Sequence, residues 1–103
     1  MNSPYFLCRD HGVYIDAGYR WAYWQLEHTG LVTMGTRVDL AAVLSATSYW
    51  QPSADEQSTY LSDLLPRIRR FLDLHAGHDV VYLDEQWLSE MWELGYDYKE
   101  QEQ

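Results

Sequence analysis

A chain of 103 residues, 47% hydrophobic and 22% charged, is sized for one folded domain and is too apolar for a disordered tail. A formal charge of −9 without a basic cluster argues against nucleic-acid binding, and no apolar run approaches the length of a bilayer span. A single cysteine, Cys8, rules out an internal disulfide; with no signal-peptide pattern at the N-terminus, it predicts a reducing, cytoplasmic setting.

The first third reads as a β-meander. Tyr5 to Arg9 is strand-like, and Asp10-His11-Gly12 supplies a turn. Val13 to Ile15 follows, then a second turn at Asp16-Ala17-Gly18. Tyr19 to Leu26 is the longest strand candidate, with Tyr19, Trp21 and Tyr23 on one face and Trp24 and Leu26 on the other. A turn at 27–30 and a short strand from Leu31 to Met34 complete the run.

The middle of the chain is helical. Thr36 and Asp39 have capping-box spacing ahead of Leu40, Val43, Leu44 and Thr47, which share one face. Ser53 and Glu56 repeat that spacing after the Pro52 loop. Leu61, Leu64, Leu65, Ile68, Phe71, Leu72 and His75 then fall in one arc of a helical wheel, with Leu74 the large apolar exception on the other. Pro66 predicts a helix start near Ser62 or a bend, and Gly77 a stop.

Asp79 to Leu83 reads as a strand. Asp84 caps a helix from Glu85 to Leu94 that Gly95 ends. Trp87, Leu88, Met91, Trp92 and Leu94 occupy one half of its wheel, which predicts that both tryptophans lie in the core. The predicted class is α+β: one domain over 1–103, with an antiparallel meander of four to five strands and about three helices on one face. Residues 96–103 are predicted to form a fraying acidic tail.

Charge is the most informative signal. Residues 79–103 hold eight carboxylates and one base, Lys99, for a net charge of −7, whereas residues 1–78 carry only −2. An acidic surface beside aromatic side chains suits a basic protein partner. The predicted partner-binding residues are Asp84, Glu85, Glu90, Glu93, Tyr96, Asp97 and Tyr98.

Other constellations carry less. Cys8-x2-His11 and His75-x2-His78 have zinc-ligand spacing. However, Cys8 reads as a small apolar strand residue and His75 as part of a helix face. A joint site would require the hairpin turn to meet the end of a distant helix, so the sequence alone assigns no metal and no cofactor. Contact between Cys8 and His11 across the turn looks unfavourable for a nucleophile–base pair. Asp16 and Glu27 lie at strand ends, where a carboxylate pair could do acid–base work, but turn chemistry explains Asp16 just as well. No nucleophile elbow, zinc-protease, phosphate-loop or dinucleotide motif occurs. Arg67, Arg69 and Arg70 have Asp63 and Asp73 at helical pairing distance.

The sequence therefore predicts a non-enzymatic, small acidic inhibitor. It would resemble an immunity protein or a phage antagonist in its physics, docking on a basic partner such as a nuclease toxin. The alternatives are an assembly module that self-associates through the Trp21 and Tyr23 sheet face, and a small metal-dependent enzyme built on the Cys and His set.

Overall fold

The computed structural model describes residues 4–18, 26–49 and 59–101, with main chain only at 46–49 and 59–64. The predicted strand at Tyr19, Trp21 and Tyr23, the Trp50–Pro52 loop and the Ser53–Glu56 cap lie outside these residues. The fold is α+β. Strands β1 (Pro4–Cys8), β2 (Val13–Asp16), β3 (Val80–Asp84) and β4 (Lys99–Glu100) form one sheet in the order β3-β1-β2-β4. Among the described residues the helices are α1 (Leu40–Tyr49), α2 (Thr59–Leu74) and α3 (Glu85–Glu93).

β1 lies inside the sheet and pairs antiparallel with β2 on one side and β3 on the other. Its sequence, like that of β3, is almost continuously apolar because both faces are covered. Pro4 stands at the first position of β1, where a missing N–H is tolerated. Side chains alternate between the two faces. Phe6, Cys8, Ile15, Val80 and Tyr82 meet Val43 of α1 and Ile68, Phe71 and Leu72 of α2 in the larger core. Leu7, Val81 and Leu83 meet Leu88 of α3 in a smaller one. Burying a side chain of this size contributes about 1.5–3 kcal/mol.

Three features depart from the sequence reading. The sheet is mixed rather than an antiparallel meander, because β4 runs parallel to β2, with Val13 opposite Lys99 and Tyr14 opposite Glu100. These strand residues fall in the segment expected to fray. The helices cover both sheet faces, not one: the core strands alternate two apolar faces, and α3 takes the second. Finally, Leu31–Met34 is not a strand. The chain instead meets the sheet slightly later, where Gly35 N donates to Tyr82 O at 2.6 Å and Val38 N to Val80 O at 2.8 Å, shielding the outer edge of β3.

Local signals explain the helix ends. Asp39 Oδ1 accepts from Ala42 N at 3.3 Å and starts α1, whereas the Thr36 hydroxyl donates backward to Thr33 O. Asp84 Oδ1 accepts from Trp87 N at 2.9 Å and starts α3. α2 runs through Pro66 as a single element and buries Ile68, Phe71 and Leu72. No helix among the described residues is long and apolar enough to cross a membrane.

Tyr82 is fully buried, and its hydroxyl donates to Glu27 Oε2 at 3.0 Å. Burial, then the Glu27 carboxylate, pushes its phenol far above the ordinary 10.0. The folded state thus holds this proton more tightly than the unfolded chain does. The resulting stability is complete below pH 10 and is lost as the pH rises beyond it. Tyr82→Phe should cost about 1 kcal/mol near neutrality, through the lost hydrogen bond. In denaturant titrations that cost should shrink above about pH 10, where the wild type loses the Tyr82 contribution. A cost that stays constant across the alkaline range would contradict this account.

Candidate functional site

Among the described residues, two places concentrate chemistry-bearing side chains. The first is the surface of α3 and the segment after it. Glu85, Glu90, Glu93 and Asp97 are exposed there, as the sequence suggests. Asp84 is half-buried and committed to capping α3. Tyr96 is 49% exposed and stacks on Tyr98, with ring centroids 5.3 Å apart. Tyr98 itself is half-buried against the smaller core and lies beside Gly12. Lys99 pairs with Asp97 at 3.8 Å, and both side chains are exposed.

The two tryptophans correct the sequence reading. Trp87 and Trp92 are each 44% exposed, and Leu94 is 77% exposed. The helical wheel separates apolar from polar positions correctly, but α3 is short and its core cluster is small, so only Leu88 is fully covered. Trp92 instead packs edge-on to Tyr14 and donates its indole N–H to Tyr98 O at 3.0 Å. Trp87 lies over Gly35, whose φ of 82° and missing Cβ let the indole approach; a Cβ there would meet the ring at 3.0 Å. The surface thus presents half-exposed aromatic rings among carboxylates.

The second place is the end of the sheet where the β1–β2 turn meets the connection from α2 to β3. Cys8 ends β1, facing the larger core, and is fully buried. Gly12, at φ 67°, closes the turn with its N–H on Cys8 O at 2.8 Å, which folds His11 back beside the thiol. His75 follows α2 directly and is buried, and its N–H still bonds Phe71 O. His78 N donates to His75 O, so a tight turn brings both imidazoles to the same side. Three bonds fasten the two segments: Arg9 N to Asp79 O at 2.9 Å, Asp79 N to Asp10 Oδ2 at 2.9 Å, and an Arg9–Asp79 ion pair at 3.6 Å.

The meeting that the sequence reading treated as the obstacle to a metal site therefore occurs. One ligand-type atom from each of Cys8, His11, His75 and His78 lies within 4.8 Å of the other three. Cys8 Sγ and His11 Nδ1 are 3.4 Å apart, so the contact judged unfavourable across the turn is made. His11 Nδ1 is 3.3 Å from His75 Nδ1, although 64 residues separate them. On the far side of its ring, His75 Nε2 meets Gln101 Oε1 at 3.1 Å. An amide oxygen only accepts, so Nε2 carries the hydrogen and, in the neutral ring, Nδ1 turns a bare lone pair toward His11. His78 Nδ1 is buried with no hydrogen-bond partner. Gln101 escaped the sequence reading altogether, because nothing local links it to His75. β4 places it there: Gln101 N donates to Tyr14 O at 2.7 Å.

The remaining candidates have structural duties. Asp16 Oδ1 accepts from Gly18 N at 2.7 Å, and Glu27 accepts from Tyr82. Arg69 and Arg70 are exposed on α2, whereas the Asp63 side chain is outside the described set. No protein-family model, curated protein or solved structure matches the chain.

A half-exposed Trp92 should be cheap to truncate. Removing a core tryptophan costs about 3–5 kcal/mol, whereas Trp92→Ala should cost about 1–2 kcal/mol, for one hydrogen bond and partial burial. Chemical denaturation measures this directly, and a core-sized loss would contradict the surface assignment.

Proposed function

We propose that the protein is an acidic inhibitor that docks on a basic protein through α3 and the segment that follows it. The observation that carries this reading is the exposure of Trp87, Trp92, Leu94 and Tyr96 beside Glu85, Glu90, Glu93 and Asp97. Large aromatic side chains with polar tips are the residue types that dominate binding energy at interfaces. A ring of like-charged carboxylates around them speeds association with an oppositely charged partner and disfavours wrong ones. Proteins that handle nucleic acid carry basic active surfaces, because their substrates are polyanions. A folded acidic face competes for that surface without performing chemistry, which fits an immunity-type or phage-antagonist role.

The division of labour on the surface follows from burial. Glu85, Glu90, Glu93 and Asp97 supply the field. Trp92 and Tyr96 supply contact area, while Asp84 and Tyr98 hold the surface in shape from beneath. Rim charges act mainly on the association rate, and anchors mainly on the dissociation rate.

The test is affinity capture from the native host, followed by kinetics with the recovered partner. The triple variant Glu85→Lys, Glu90→Lys, Glu93→Lys should cut the association rate at least tenfold at low salt and flatten its salt dependence. Trp92→Ala should chiefly speed dissociation. The partner's own activity on nucleic acid should fall in the presence of wild type and not of the triple variant. Equal binding by wild type and triple variant across a salt series would refute the proposal.

A further inference from the structure

We propose that Cys8, His11, His75 and His78 form a closed zinc site that fastens the β1–β2 turn to the α2–β3 connection. One thiolate with three imidazoles is a donor set that zinc accepts, and ligands paired at short sequence gaps are usual in structural sites. The spacing of the side chains supports this further. A tetrahedral ion with Zn–N of about 2.05 Å and Zn–S of about 2.3 Å puts two nitrogens about 3.3 Å apart and sulfur about 3.5 Å from nitrogen. The protein has His11 Nδ1 at 3.3 Å from His75 Nδ1 and at 3.4 Å from Cys8 Sγ. These are two edges of such a tetrahedron, and the remaining ligand atoms lie within 4.8 Å.

Hydrogen bonding alone does not satisfy this cluster. With His75 Nε2 donating to Gln101, the neutral ring leaves Nδ1 as an acceptor, and a hydrogen on His11 Nδ1 serves only one of its two neighbours. His78 Nδ1 stays buried and unpaired in any such arrangement. One cation at the centre takes one ligand atom from each of the four residues. The Gln101 contact is then an outer partner of the kind that fixes the tautomer and aim of a metal-bound histidine.

The consequences follow from the geometry. Cys8 and His75 are buried and form the floor, while His11 is exposed and leaves a path for the ion. Binding expels the Cys8 thiol proton to solvent as the S–Zn bond forms. Four protein ligands leave no position for water, so the site is structural rather than catalytic. It closes a loop of 64 residues between His11 and His75, which removes conformational freedom from the unfolded chain.

Cobalt and zinc titrations of the chelator-treated protein test this. Cobalt should bind one ion per chain, with visible bands of tetrahedral coordination and a near-ultraviolet thiolate charge-transfer band. Equimolar zinc should displace it and raise the melting temperature. Cys8→Ser should lose the charge-transfer band. His11→Ala, at an exposed turn residue that the fold tolerates, should weaken binding at least tenfold, and Gln101→Ala about 10–100-fold. Absence of tetrahedral bands in the folded wild-type protein, or binding unchanged in both Cys8→Ser and His11→Ala, would overturn the proposal.

Discussion

Everything in this protein hangs on the pairing of β1 with a strand that the chain reaches only after more than seventy residues. β1 and β3 match along their whole length, from Pro4 opposite Asp84 to Cys8 opposite Val80. At the Cys8 end the ladder continues into Arg9 N–Asp79 O and Asp79 N–Asp10 Oδ2. Closing so long a loop costs conformational entropy that local contacts cannot repay. Two cores, one on each face of β1, supply the compensation, and the Cys–His cluster sits where the closure is made.

That constraint also explains the second half of the molecule. β3 leads straight into the cap of α3, so the acidic helix is fixed to the sheet by Asp84 and Leu88. After Gly95 the chain returns to β2, where Lys99 N donates to Gly12 O and Gln101 N to Tyr14 O. The same segment carries Tyr96 and Tyr98 at one end and Gln101 at the other. It therefore joins the proposed docking surface to the proposed zinc site through six consecutive residues. A metal that orients His75 also gives Gln101 a fixed partner, and through β4 it steadies the strand beneath Trp92, whose indole N–H bonds Tyr98 O.

Local chemistry was legible in the sequence, and long-range pairing was not. The Asp84 cap, the Gly95 stop and the burial of Ile68, Phe71 and Leu72 on one face of α2 are all readable, because each depends on neighbours within one or two helical turns. β4 was unreadable: Lys99 and Glu100 carry no strand signal and pair only because β2 offers an open edge. The exposure of Trp87 and Trp92 is hidden from the sequence for a related reason. A wheel shows which half of a helix is apolar, whereas the size of the surface it meets is set by strands elsewhere. The spacing of Cys8, His11, His75 and His78 is visible in the sequence. Their convergence is not, since it requires knowing that β1 and β3 are neighbours and that Gln101 returns to brace His75.

The measurement that reaches the centre of this account is X-ray absorption at the zinc edge on the protein after zinc loading and removal of free metal. The account predicts a four-coordinate ion with one sulfur and three imidazole nitrogen neighbours. A first shell of oxygen ligands without sulfur, or no zinc retained by folded protein, would contradict it.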